Sequence, residues 1–234
     1  PIPDGFGKVM NSLEVLDLSD NKLQGEIPSF FGNVCTLQTL YLSKNELNGE
    51  FSSFLQNSSW CNRHIFKTLS LAYNRIYGMS PESIGLLSEL EVLFLAGNSL
   101  EGDITQSHFS NFSKLESLYL SENSLSLKFV PNWVPPFQLI DLGLGSCKMG
   151  PTFPSWLKTQ SSLYLLDISD NGIKDSVPDW FWNNLQNMGL LNMSYNYLIG
   201  EIPDISLKLT DRLSFYIQIS LRVNFRHFYY KLLS

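Results

Sequence analysis

The sequence predicts an α/β repeat solenoid, a right-handed superhelix with a parallel concave β-sheet and an irregular or 3-10 convex side. Three observations predict it. A frame of the form L-x-x-L-x-L-x-x-N-x-L recurs in register along most of the 234 residues. Its central apolar residues alternate with period two, the pattern of a short strand with one buried side. An Asn closes nearly every copy at the same position.

The first clear copy is Leu13-Glu14-Val15-Leu16-Asp17-Leu18-Ser19-Asp20-Asn21-Lys22-Leu23, and further copies start at Leu37, Phe66, Leu90, Leu115, Leu139, Leu163 and Met188. Most starts are 24 or 25 residues apart, so residues 13–209 read as eight units and residues 1–12 as the end of a preceding one. A unit this short cannot bury its own leucines; neighbours must stack and share one core. Frame positions 4 and 6 then point inward. Successive strands stand about 4.8 Å apart, giving a sheet roughly 35–40 Å across.

The Asn at position 9 turns the chain out of the strand, and its amide is placed to bond backbone groups of its own and adjacent turns. The expected ladder is Asn21, Asn45, Asn74, Asn98, Asn123, Asn171 and Asn196, with Cys147 in the sixth unit. An apolar residue there would orphan backbone groups at about 1–3 kcal/mol each. A small thiol fits the same turn, so Cys147 reads as structural rather than reactive. The second unit is extended by Ser52–His64, predicted to bulge on the convex or lateral side.

The second half of the unit narrows the class. Leu23-Gln24-Gly25-Glu26-Ile27-Pro28 and Leu198-Ile199-Gly200-Glu201-Ile202-Pro203 follow L-x-G-x-I-P. Weaker versions occur at Gly49–Phe51, Gly102–Ile104 and Val177–Pro178. Asp175 replaces the expected Gly of its unit, and the sixth unit moves its Gly to Gly150. This form resembles the plant extracellular leucine-rich repeat. The run Leu125-Ser126-Leu127-Lys128-Phe129-Val130-Pro131-Asn132-Trp133-Val134-Pro135-Pro136-Phe137-Gln138-Leu139, followed by Gly150-Pro151-Thr152-Phe153-Pro154-Ser155-Trp156-Leu157, is similar to a stretch of plant receptor-like proteins. The resemblance covers the chain from Pro1 to about Leu209 and implies a leucine-rich-repeat right-handed superhelix. It also implies a cell-surface protein that recognises peptides, proteins or microbial molecules and works with a co-receptor kinase, in defence or development. The alternatives are a secreted binding protein resembling the inhibitors of cell-wall polygalacturonases, or a truncated product without a function of its own.

Cysteines and sequons bear on compartment. Cys35 ends one unit and Cys61 lies in the extension of the next, so stacking can join them in a disulfide or leave two free thiols. Sequons stand at Asn57, Asn111 and Asn192, and the extracellular resemblance makes them glycosylation sites by expectation. Asn57, in the extension, is the best placed; Asn192 falls at a concave strand position. The opening Pro1-Ile2-Pro3 has no initiator Met and no basic-then-apolar lead, which predicts a start inside a longer or processed protein. No apolar run reaches the ~20 residues of a membrane span.

Chemistry is expected to be absent. His64, His108 and His227 have no partner at metal-ligand spacing, and no cofactor or metal is expected. Gly143, Gly145 and Gly150 are explained by the repeat and not by a phosphate-cradling loop. Asp17 and Asp167 share a repeat column six units apart, too far for a catalytic pair. A formal charge of −6 argues against nucleic acid.

What remains is a binding face. Position 5 reads Asp17, Tyr41, Ser70, Phe94, Tyr119, Gly143, Asp167, Asn192, and position 8 reads Asp20, Lys44, Tyr73, Gly97, Glu122, Ser146, Asp170, Tyr195. Position 7 stays small, which suits a shallow groove. The candidate contact residues are Tyr41, Tyr73, Phe94, Tyr119, Asp17, Lys44 and Glu122, with the aromatics as anchors. After Leu209 the frame stops, and residues 210–234 read as a non-repeat tail. They are either a makeshift cap over unit eight or an aberrant extension, and the abrupt change in composition favours the second.

Overall fold

The structure is a computed structural model that describes residues 2–3, 12–55, 61–203, 216–221 and 228–231. A ten-stranded sheet forms its concave side. Its first eight members are the repeat strands Val15–Asp17, Thr39–Tyr41, Thr68–Ser70, Val92–Phe94, Ser117–Tyr119, Asp141–Gly143, Leu165–Asp167 and Leu190–Leu198, one per unit. All are parallel and in strict register at position 4: Leu16, Leu40, Leu69, Leu93, Leu118, Leu142, Leu166 and Leu191 face one another in sequence. From unit two onward the apolar residues at positions 1, 4 and 6 are buried without exception. They form one continuous core, as expected for units that cannot bury their leucines alone.

Every unit makes the same turn at position 8, after the strand in units one to seven and within Leu190–Leu198 in unit eight. Asp20, Lys44, Tyr73, Glu122, Ser146, Asp170 and Tyr195 have φ between 51 and 58° or at 61°, and Gly97 has 65°. Position 8 is therefore left-handed in every unit, at a cost of about 1 kcal/mol or more for a residue with a Cβ. The adjacent Asn amide holds the strain in place. Asn98, for example, donates Nδ2 to the carbonyls of Leu71, Leu95 and Ala96 and accepts the Ile76 N–H at 3.0 Å.

Just beyond the Asn the chain adds regular structure that the repeat frame does not announce. Gln24–Gly25, Glu46–Glu50, Arg75–Met79, Ser99–Ile104 and Ser124–Leu127 form a second parallel sheet of five strands. The glycine of L-x-G takes φ of 91 to 107° in Gly25, Gly49, Gly78 and Gly102, a conformation open to glycine. The sheet stops at unit six, where the displaced Gly150 is followed by Pro151, which has no N–H to give to a ladder. The convex side carries 3-10 turns at Ser29–Asn33, Glu82–Leu86, Gln106–Phe109 and Ser155–Thr159 and short helices at Phe51–Leu55 and Asp179–Trp182.

Two irregular stretches are accommodated without breaking the stack. Where the second-unit extension begins, Phe51 just before it and Phe54 and Leu55 within it turn into the core. The returning chain is fastened to unit one: Cys61 N–H donates to Gly32 O, and Cys35 and Cys61 form a disulfide with Cα atoms 5.0 Å apart. Asn62, fully buried, donates to Phe31 O and Leu37 O. The proline-rich run of unit five fills the wide convex interior with Phe129, Trp133 and Phe137, packed against Phe109 of unit four and Trp156 of unit six, the Phe129 and Trp133 rings 4.4 Å apart.

The segment that sequence sets apart as a tail adds two strands to the concave sheet. Tyr216–Leu221 pairs in parallel with Leu190–Leu198, placing Ile217 against Leu191 and Ile219 against Met193. Both isoleucines are buried. Phe228–Lys231 then pairs antiparallel with it. The frame search misses this strand because its position 1 is Ser214 and its position 9 is Arg222; only the central alternation is kept. Residues 4–11, which hold most of the expected preceding repeat, and Leu209, Asn57 and His227 lie outside the described residues.

Candidate ligand-binding face

The site is built by the register of the concave strands. Because position 5 of every unit pairs with position 5 of the next, Tyr41, Ser70, Phe94, Tyr119, Gly143, Asp167 and Asn192 form one row across the sheet. Phe94 and Tyr119 meet edge to face with centroids 4.6 Å apart. Tyr41 is separated from them by Ser70, whose hydroxyl is 2.6 Å from that of Ser43. The four aromatics expected as one cluster therefore divide into a contacting pair, Phe94 and Tyr119, with Tyr41 two strands away and Tyr73 on the neighbouring row.

Two tyrosines of this face, Tyr119 and Tyr73, rest on glycine. A Cβ at Gly143 would lie 2.4 Å from Cδ1 of Tyr119, and one at Gly97 would lie 2.3 Å from Cδ1 of Tyr73. Tyr164 covers Gly189 in the same manner, its ring carbon 2.4 Å from where a Cβ would stand. In each case an aromatic of one unit lies on a glycine at the same frame position of the next. The bare backbone is what lets the ring lie flat. This support was missed from sequence, although the signal was there: Tyr and Gly occupy one column in consecutive units.

The polar residues of the row are ordered. Asp167 accepts the Ser169 N–H at 2.9 Å and its hydroxyl at 2.6 Å on one oxygen, and the Asn192 amide at 3.0 Å on the other. Asn192 in turn accepts from the Ser194 N–H and hydroxyl. Asp141, at position 3 beside Gly143, has the Ser117 hydroxyl 3.4 Å away. Burial pushes the Tyr119 phenol up to about 12, with the Asp141 and Asp167 charges adding to the rise. Of the expected charged contacts, Lys44 pairs with Asp20 at 3.6 Å, both well exposed. Such a pair contributes about 0–1 kcal/mol. Asp17 accepts the Ser19 N–H, and Glu122 is exposed on its left-handed turn.

Beneath the face runs the ladder. Asn45, Asn74, Asn98, Asn123, Asn171 and Asn196 each bond carbonyls of their own and the preceding unit and accept an N–H from that preceding unit. Asn21 is exposed and donates to Leu18 O and Ser19 O in its own turn. Cys147 directs its sulfur to the carbonyls of Leu120 and Gly145, at 3.5 and 3.7 Å. Burial raises its thiol to about 12, with Asp167 contributing. His108 is spent structurally: one ring nitrogen takes the Thr105 N–H at 3.2 Å and the other lies 3.0 Å from Ser80 O. Asn111 is exposed and its amide donates to Gly85 O. Among the described residues no group of His, Cys, Asp or Glu has a metal-holding arrangement, and no helix is long and apolar enough to cross a membrane.

Fold and face together define a repeat solenoid that presents an ordered concave surface. Family models agree: one described as leucine rich repeat matches residues 66–125, and a second of the same description matches 12–34, 36–58 and 162–184. The chain belongs to the leucine-rich-repeat family, in its plant receptor-like protein branch. It is 48% identical over 111 residues to the receptor-like protein EIX2 of Solanum lycopersicum, a match covering 47% of this chain and 11% of that protein. The chain thus spans about a tenth of the length of such relatives. Among solved structures it resembles the Arabidopsis receptor kinase HAESA ectodomain in complex with an IDA peptide hormone ligand, with a TM-score of 0.72 at 28% identity, covering 94% of this chain and 36% of that one. The PEPR1–AtPEP1 complex aligns with a TM-score of 0.69 at 25% identity, covering 94% of this chain and 33% of that one.

Proposed function

We propose that this chain is a segment of the ligand-binding ectodomain of a cell-surface receptor-like protein. It takes a peptide, protein or microbial ligand on its concave face and acts with a co-receptor kinase in defence or developmental signalling. Its role is binding rather than catalysis, and its side of the membrane is the extracellular one. The observation that carries this reading is the Phe94–Tyr119 pair, half-exposed on the sheet and held by Gly143. Ordered aromatics at the centre of a face are what binding hot spots are made of. The HAESA structure, an ectodomain in complex with an IDA peptide hormone ligand, supports the ligand class. The Cys35–Cys61 disulfide suits an oxidising compartment. Of the two sequons among the described residues, exposed Asn111 suits a glycan, whereas a glycan on Asn192 would sit in the ligand row.

The test is selection from a random dodecapeptide display library against the full chain, with the binders then assayed on F94A/Y119A. The reading expects binding to be lost with little change in melting temperature. Binders that keep their affinity for the double variant would refute it.

A further inference from the structure

The concave face is not uniform in charge. Over units one to four two of its carboxylates have lysine partners, Asp20 with Lys44 at 3.6 Å and Glu91 with Lys67 at 3.1 Å, while none of the described ion pairs involves Asp17. Over units five to seven, none of the described ion pairs involves Glu116, Glu122, Asp141, Asp167 or Asp170. That stretch coincides with Tyr119, whose ring is held on both sides. The Tyr119 ring lies against the Gly143 backbone and meets the Phe94 ring edge to face, centroids 4.6 Å apart. The neighbouring position-7 residues Ser121, Gly145 and Ser169 are small, and Gly145 N–H donates to the Ser121 hydroxyl at 2.9 Å. The floor beside the ring is therefore low and its own polar groups are occupied.

We propose that this stretch is the seat of a cationic side chain, arginine or lysine, of the peptide or protein ligand, with Tyr119 as its platform and Asp141 and Asp167 as its charge partners. The inference rests on the concave-face reading above and names the ligand chemistry that face selects. A cation over an aromatic ring is drawn by the ring's electron-rich face, and a guanidinium stacks while its edge still offers donors to carboxylates. Asp167 is suited to receive them. Three donors fix its carboxylate, and a carboxylate has about four acceptor sites, so a lone pair remains on an oxygen that cannot swing away. Burial raises the pKa of the Tyr119 phenol most, and the same two carboxylates add to the rise; their field reaches the platform. A cation placed there meets attraction from ring and carboxylates together, while an anionic ligand meets repulsion from all of them.

The probe is an acetylated octapeptide of alternating Gly and Arg, beside its citrulline counterpart, which keeps the shape and loses the charge. Fluorescence anisotropy on the full chain should show the arginine peptide binding at least about tenfold more tightly. D141N/D167N should weaken it by about tenfold, and Y119A should do likewise. E101Q/E201Q, which removes two charges outside the concave sheet, should leave it within about twofold. Melting temperatures of all variants serve as the folding control. Equal binding of the citrulline peptide, or equal losses for the two charge pairs, would overturn the proposal. The library selection reads the two failures apart. Neutral or acidic binders that are lost on F94A/Y119A would sink the cation seat and keep the concave-face reading; binders indifferent to F94A/Y119A would sink both.

Discussion

Asn171→Ala gives the sharpest test of what holds the stack together. The Asn171 side chain donates to Leu144 O at 2.8 Å and Ser169 O at 2.9 Å and accepts the N–H groups of Cys147 at 3.2 Å and Met149 at 3.1 Å. Alanine deletes all four. The bonds to Leu144 and Cys147 are buried, and each orphaned group there costs about 1–3 kcal/mol; the other two reach the surface and recover water. The expected loss is about 4 kcal/mol, a large share of the 5–15 kcal/mol that holds a domain folded. Asn21→Ala is the internal control. Its bonds are exposed and confined to its own turn, so the loss should stay near or below about 1 kcal/mol. Urea unfolding followed by circular dichroism measures both, with the slope compared to show that the same cooperative unit unfolds. A loss in Asn171→Ala no larger than in Asn21→Ala would refute the claim that the buried amides join the units.

Further outcomes follow from other parts of the structure. Gly143→Ala places a methyl where the Tyr119 ring lies; the ring must swing off the sheet, so peptide binding should fall at least as far as in Y119A while unfolding shifts by about 1–3 kcal/mol, read by anisotropy and urea melts together. Removing the disulfide with C35A/C61A, which opens a separation of 26 residues, should cost about 3 kcal/mol in the same melts; no measurable change would mean the extension is held by Asn62 and its core phenylalanines alone. Cys147 and Tyr119 both keep their protons to about 12, above their ordinary 9.0 and 10.0. Between those values the unfolded chain releases protons that the native chain retains. Their contribution to stability is thus complete below about pH 9 and is lost as pH rises toward 12. A melting temperature that climbs across that window would contradict it. Iodoacetamide should leave buried Cys147 unmodified in the native chain near neutral pH and alkylate it on unfolding, as mass spectrometry can show.

Much of this was legible in the residues because a repeat states its own register. Once Leu16 and Leu40 are known to be equivalent, their pairing across the sheet and the shared fate of Asn45 and Asn74 follow. What the repeat did not state was the backbone. The left-handed turn at position 8 is occupied by Asp, Lys, Tyr, Glu and Ser as well as Gly, so composition gives no hint of it. The second sheet depends on glycine φ values near 100° and on the missing donor of Pro151, neither of which an apolar pattern displays. Within the site, the aromatics of the face were visible but their supports were not. The repeat accounts for Gly143 without the ring that lies on it, and Asp141, at position 3, stands outside the exposed columns at positions 5, 7 and 8. The strand Tyr216–Leu221 escaped because it keeps only the alternation of Ile217 and Ile219.

The measurement that reaches the central claim most directly is 19F NMR of the chain carrying 3-fluorotyrosine, titrated with a library-selected peptide. Tyr119 and Tyr77 are assigned by their phenylalanine variants: Tyr119 stands on the concave row, and Tyr77 on the second sheet is exposed. The account predicts that the Tyr119 resonance shifts in proportion to bound peptide while that of Tyr77 stays fixed. A shift of Tyr77 with Tyr119 unmoved would place recognition on the wrong sheet and contradict it.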